Sequence, residues 1–155
     1  MKSDHLKQRF SYIETEINDA IKISQNDPKL AARLSSYLVV IISGIYEDAV
    51  EHLFEARASK TNDEEIKRLV SKLIKEKFRN PKYENIMDLV KGLDQNYSSK
   101  FAKISSKCRD SINSIVSNRQ QVAHQGTSSS ATLNDIKQYH KNAKKIFEIM
   151  EGILL

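Results

Sequence analysis

The chain has 155 residues with a net charge of +5, of which 39% are hydrophobic and 29% charged, so one folded domain over residues 1–155 is expected. Its single cysteine, Cys108, excludes an internal disulfide framework and any multi-cysteine zinc or iron–sulfur site. Four glycines and two prolines leave few turns, which disfavours sandwiches and barrels with many hairpins.

In the first half of the chain, apolar residues recur every three or four positions, which predicts amphipathic helices. The first helix carries its apolar face from Leu6 to Ile21. Asp27-Pro28 supplies an N-cap followed by a first-turn proline, so a second helix is predicted over residues 29–58. Its apolar run, residues 37–45, is far below the roughly 20 residues that span a bilayer, which predicts the central helix of a bundle without a membrane.

In the second half, polar and helix-breaking residues separate further helices. Residues 61–64 begin a third helix, and Asn80-Pro81 ends it and opens a short one. Residues 94–99 are predicted to be a loop, and a helix or helix pair follows over about residues 100–124. Gly126 and the serine-rich run 127–130 stop it, and Thr132 with Asp135 resembles a capping box before the last helix. The predicted fold class is all-α, a single bundle of five to six helices.

Arg119 occupies an unexpected place on its helix. With Ile112 at zero on a helical wheel, Val116 falls near +40°, Arg119 near −20° and Ala123 near +20°. Arg119 is therefore predicted at the centre of an apolar stripe, where an arginine is costly unless a carboxylate or an anion meets it. Pairing with a core glutamate and contact with an anionic ligand both remain open.

His124 follows Arg119 by five residues, about 140° around an ideal helix and about 7.5 Å along its axis. The two side chains converge only if the helix unravels at Gly126 or if two copies face each other across a twofold axis. Two arginines and two histidines brought together in this way make sense only around a shared anion. The alternative is a helix-end histidine that interacts favourably with the dipole.

The segment Arg119-x-x-x-x-His124, followed by Gln125-Gly126, resembles the R-x(4–6)-H signature of HEPN domains. The apolar helix before it, Asn80-Pro81 at mid-chain and the long last helix make residues 34–154 similar to the RiboL-PSP-HEPN group. Many members have Asn, Asp or His directly after the arginine, where this chain has Gln120.

The resemblance implies a metal-independent endoribonuclease of the toxin or antiviral-defence type. Such a protein is cytoplasmic, uses no cofactor, acts on RNA as a homodimer, and has a cognate antitoxin or another defence-system protein as its partner. It would cleave RNA by attack of the 2′-hydroxyl, with His124 transferring a proton and Arg119 stabilising the phosphate in a composite dimer site.

Three further residues are assigned supporting roles: Glu47, Gln120 and Asn118. Glu47 follows the apolar core of the second helix and could orient Arg119. It fits equally well at the start of a solvated acidic face with Asp48, Glu51 and Glu55.

Two other functions remain open for this sequence. One is a non-catalytic HEPN-type dimerisation or RNA-binding module that serves another enzyme. The other is an unrelated helical adaptor, a monomer in which Arg119 pairs within its own chain. The basic excess lies in residues 98–155, with nine Lys/Arg against four Asp/Glu, and four of its lysines, at positions 137, 141, 144 and 145, either guide RNA or form ordinary surface.

Overall fold

The computed structural model describes residues 1–155, except for the side chain of Lys77. It contains seven α-helices, and the described backbone has no strand: α1 (Asp4–Ile23), α2 (Pro28–Ala58), α3 (Glu64–Lys77), α4 (Tyr83–Leu93), α5 (Gln95–Phe101), α6 (Ser106–Gln125) and α7 (Leu133–Leu154). The all-α prediction is confirmed, whereas the predicted count of five to six helices is wrong.

The additional helix is α5, which lies where the sequence predicted a loop. Its residues are mostly polar, so the sequence has no apolar period that would predict a helix here. Asp94 caps the helix by accepting a hydrogen bond from the Asn96 N–H at 2.8 Å, and the fully buried Phe101 anchors its other end. One cap and one aromatic side chain therefore hold a helix that periodicity cannot detect.

At the centre of the bundle, α2 packs against α1, α3, α6 and α7. Its start follows the prediction, because Asp27 accepts a hydrogen bond from the Leu30 N–H at 2.9 Å and Pro28 occupies the first turn. By length and composition α2 could also cross a membrane, a test that the core helix of a globular fold passes as well. Its fully buried residues include Val39, Ile42 and Leu53.

The hairpin of α6 and α7 is closed by the predicted capping box. Thr132 Oγ1 accepts from the Asp135 N–H at 3.1 Å, and Asp135 Oδ2 accepts from the Thr132 N–H at 2.9 Å. This arrangement begins α7 directly after the serine-rich run. It therefore fixes the return of the chain beside the end of α6, where Arg119 and His124 lie.

Candidate active site

Arg119 lies where the apolar stripe of α6 leaves the core. Ile112 and Val116 are fully buried, but Ala123 is exposed, so the predicted stripe is buried only over the first part of the helix. The side chain of Arg119 is 31% exposed. The prediction that places it at the centre of a buried stripe is therefore corrected: Arg119 marks the boundary between core and solvent, because the neighbouring helices do not cover the last turns of α6.

Glu47 on α2 faces Arg119 across this boundary. Arg119 Nη1 lies 3.8 Å from Glu47 Oε1, close enough for charge attraction but too far for a hydrogen bond. Glu47 Oε1 is buried and has no hydrogen-bond partner among the described residues. Burial raises the pKa of the Glu47 carboxyl, and the nearby charges of Arg119 and Arg79 partly oppose that rise.

The predicted acidic face of α2 is divided between different partners. Asp48 Oδ2 lies 3.1 Å from His5 Nε2 and 3.0 Å from Arg9 Nε, on the α1 side of the helix. The remaining two carboxylates, Glu51 and Glu55, both pair with Lys75 of α3. Glu47 does not share this solvated face, and the structure instead brings it to Arg119.

Arg79 is a site neighbour that the sequence did not indicate. It lies in the segment between α3 and α4, is exposed, and contributes to the electrostatic environment of Glu47. No helical period applies in this segment, so the approach of a second arginine depends on the path of the chain. Its position just before Asn80-Pro81 is the one signal that a fixed turn lies there.

His124 is exposed in the last turn of α6, and the helix continues regularly through Gln125. Gly126 then adopts the left-handed conformation, with φ of 61°, that commonly ends a helix. The helix does not unravel between Arg119 and His124. Within one chain, the structure therefore does not bring His124 to Arg119, since the regular spacing directs their side chains about 140° apart.

Asn118 organises the segment that follows His124. It is buried, and its Oδ1 accepts hydrogen bonds from Ser129 Oγ at 2.9 Å, from Ser130 N and Oγ at 2.9 and 3.0 Å, and from the Ala131 N–H at 3.1 Å. Its Nδ2 donates to the Ser114 carbonyl at 2.9 Å. Asn118 therefore ties the serine-rich turn to the middle of α6. Gln120 is half-buried and has no side-chain hydrogen bond among the described residues.

Comparison of the sequence with models of known families identifies the family of this chain. The family model RiboL-PSP-HEPN matches residues 4–155, almost the whole sequence. The chain belongs to the RiboL-PSP-HEPN family. Neither a curated protein nor a solved structure matches it. HEPN domains are often ribonucleases, and membership therefore supports a nuclease or another RNA-related function.

In this HEPN domain, the chemistry available at the candidate site follows from Arg119 and His124, the two residues that the sequence predicts as catalytic. The Arg119 guanidinium has five N–H donors, and none of them forms a hydrogen bond to another described residue. A phosphate can therefore accept hydrogen bonds from these donors, while the Glu47 carboxylate lies 3.8 Å from Nη1. The imidazole of His124 is exposed and can donate or accept a proton. Among the described residues, no group of three His, Cys, Asp or Glu side chains could hold a metal ion.

Proposed function

We propose that this HEPN domain is a metal-independent endoribonuclease of the toxin or antiviral-defence type. It works as a cytoplasmic homodimer together with a cognate antitoxin or another defence-system protein. The observation that carries the proposal is Arg119, a partly buried guanidinium 3.8 Å from a carboxylate, with its donors uncommitted among the described residues. The same arginine begins the Arg119-x-x-x-x-His124 pattern of a chain that belongs to a family rich in ribonucleases.

The reaction needs a nucleophile, a proton carrier and a stabiliser of negative charge. RNA supplies its own nucleophile, because the 2′-oxygen can attack the adjacent phosphorus. His124 takes the 2′-hydroxyl proton, and the bond from phosphorus to the 5′-oxygen breaks. The leaving oxygen receives a proton from the imidazolium or from water, which gives a 2′,3′-cyclic phosphate and a 5′-hydroxyl. Arg119 stabilises the charge that accumulates on the phosphate oxygens.

A composite site from two copies follows from the direction of the two side chains. Because α6 stays helical through Gln125, Arg119 and His124 of one chain point to different sides of the helix. A twofold arrangement in which two α6 helices face each other places the arginine of one copy near the histidine of the other. The active unit in this proposal is therefore the dimer.

One observation favours the second candidate, a non-catalytic dimerisation or RNA-binding module. Arg119 has a charge partner within its own chain, as a purely structural arginine would. In that case Arg119 and Glu47 stabilise the end of α6, and the protein tolerates loss of His124 and keeps its dimer. The two functions therefore differ in what the histidine does.

The test is cleavage of total RNA and tRNA by purified protein in excess EDTA. The wild type is expected to produce fragments with 2′,3′-cyclic phosphate ends, and His124→Ala is expected to lose at least about 100-fold in rate, because it lacks the proton carrier. A DNA of the same sequence stays intact, since it has no 2′-hydroxyl.

His5→Ala is the matched control, because it removes another surface histidine, in α1, whose described partner is Asp48. It should cleave RNA like the wild type. Both variants are first checked for an unchanged circular dichroism spectrum and unchanged mass in solution. No cleavage of any RNA by the wild type would favour the binding module, whereas equal cleavage by His124→Ala and the wild type would contradict the role of His124 in proton transfer.

A further inference from the structure

A groove between α1 and α7 encloses a cavity of about 350 Å³ that shares no residue with the Arg119 site. Its lining includes Ile17, which contributes an apolar wall, and the polar or charged residues Glu14, Asn18, Lys137, His140, Lys141 and Lys144. A cavity of this size accommodates a small molecule. Its polar groups indicate which kind.

His140 forms the floor of the groove and is only 2% exposed. Its Nδ1 lies 2.9 Å from the hydroxyl of the fully buried Tyr46. Burial lowers the pKa of His140 to about 4, so the ring is neutral at pH 7, and burial also raises the pKa of Tyr46, which keeps its proton. The Tyr46 hydroxyl has no other acceptor among the described residues, so it donates to Nδ1. The ring proton of His140 therefore resides on Nε2.

This Nε2–H group is a buried donor without a partner. It donates no hydrogen bond to any of the described residues. The nearest carboxylate oxygen, Glu14 Oε1, is 4.0 Å away. The backbone carbonyl of Phe10 raises the pKa of the ring slightly against the effect of burial, but it does not meet hydrogen-bond geometry. A buried donor left without a partner is unfavourable, and an acceptor in the groove would satisfy it.

The rim of the groove is positive. Three lysines, Lys137, Lys141 and Lys144, line it against one carboxylate, Glu14. Lys144 Nζ pairs with Glu14 Oε1 at 2.7 Å, and Lys137 Nζ donates to Asn18 Oδ1 at 2.9 Å. The groove therefore has two more positive than negative charges around the neutral His140 ring, which favours binding of an anion.

We propose that this groove binds a small anion through a carboxylate or phosphate oxygen, which accepts the hydrogen bond from His140 Nε2 and lies among Lys137, Lys141 and Lys144. Glu14 shows which chemistry the groove attracts, because its carboxylate already lies between Lys144 and His140 without reaching the ring. The side chain of Glu14 is 48% exposed, so it can rotate outward and give its place to the ligand oxygen. Glu14 is thus the internal competitor of the ligand.

The test follows the ring Nε2–H resonance of His140 by NMR while sodium phosphate or sodium acetate replaces sodium chloride at constant ionic strength. A saturable shift is expected with at least one of the two anions, with a dissociation constant in the millimolar range or below. Saturation by phosphate alone assigns the site to a phosphate group, and saturation by acetate alone assigns it to a carboxylate.

Three variants test whether anion binding depends on the residues of the groove. Lys137→Gln/Lys141→Gln should weaken binding by at least about fivefold, because two of the positive charges are lost. The matched control Lys103→Gln/Lys107→Gln removes two exposed lysines outside the groove and should bind like the wild type. Glu14→Gln should bind at least about threefold more tightly, since the competing charge is gone.

Three outcomes would overturn the proposal. The first is the absence of a saturable shift with either anion in the wild type. The second is equal weakening in the two double lysine variants, which reduces the effect to overall charge. The third is weaker binding in Glu14→Gln. Circular dichroism and thermal melts establish beforehand that each variant is folded.

Discussion

At the residue scale, the carboxyl group of Glu47 is subject to two opposing effects. Burial disfavours its ionised form, whereas the charges of Arg119 and Arg79 favour it. Because the pKa is raised overall, burial is the larger effect. Above the ordinary pKa of a glutamate, the folded protein therefore loses stability as the pH rises, since the folded state holds this proton more tightly than the unfolded chain.

Glu47→Gln is therefore expected to leave the stability of the fold nearly unchanged while it lowers the rate of RNA cleavage. At pH 7 its free energy of unfolding should equal or slightly exceed that of the wild type, within about 1 kcal/mol, because Arg119 remains partly solvated. The difference should vanish below the ordinary glutamate pKa, where both proteins are neutral at this position. RNA cleavage should fall by about tenfold or more, since Arg119 loses the charge that orients it.

The measurements are urea unfolding at pH 4 and pH 7 and a cleavage assay. Asp48→Asn is the matched control, because Asp48 is the neighbouring acidic residue and pairs with His5 and Arg9 instead of Arg119. It should retain full activity. A Glu47→Gln protein that is much less stable at pH 7, or one that cleaves RNA at the wild-type rate, contradicts the orienting role.

The sequence predicted two of the residues that meet at this candidate site. The helical wheel singled out Arg119, and Glu47 followed as a candidate partner because it ends the apolar run of α2. The choice between a partner of Arg119 and a solvated acidic residue depends on how α2 and α6 cross, which no local pattern contains. Arg79 was not predicted for the same reason, since its charge acts on Glu47 from a segment between two helices.

At the scale of elements, the attachment of the serine-rich turn to α6 depends on one side chain. Asn118→Ala removes the acceptor of four hydrogen bonds from Ser129, Ser130 and Ala131. The variant should lose about 2–3 kcal/mol in its free energy of unfolding, because these hydrogen bonds, one of them from the buried Ala131 N–H, are lost together. Amide hydrogen exchange at Ser130 and Ala131 should accelerate.

Asn85→Ala provides the comparison, because Asn85 is exposed and donates one hydrogen bond, to the Asn80 carbonyl. Its loss of stability should stay within about 0.5 kcal/mol. If Asn118→Ala is no less stable than Asn85→Ala and its exchange rates at the turn are unchanged, Asn118 does not hold this segment.

Most of the helices were predictable because apolar residues recur along each of them at regular spacing. The start of α2 followed from Asp27-Pro28, and that of α7 from Thr132 and Asp135. By contrast, α5 was missed, because a seven-residue helix with one fully buried side chain has no period to detect. Long elements are thus encoded by repetition, whereas a short one is fixed by tertiary contacts.

At the scale of the whole molecule, the proposed activity requires two copies. The face of α2 that leads to Glu47 carries Gly44 and Val40 one and two turns earlier, both exposed. Gly44 adds no side chain and Val40 is apolar, so a second molecule can approach this face closely. The dimer would then complete a site whose arginine and histidine diverge within each chain.

The most direct test of this account is RNA cleavage, in excess EDTA, by a mixture of Arg119→Ala and His124→Ala subunits. The two variants are refolded together in equal amounts, and differently tagged chains verify that heterodimers form. Each variant alone should be inactive. The mixture should recover about one quarter of the wild-type activity, because half of the randomly formed dimers are heterodimers and each retains one of the two intermolecular arginine–histidine pairs. A mixture that contains heterodimers but remains as inactive as either variant would contradict the composite site, and so would full activity of a wild-type monomer.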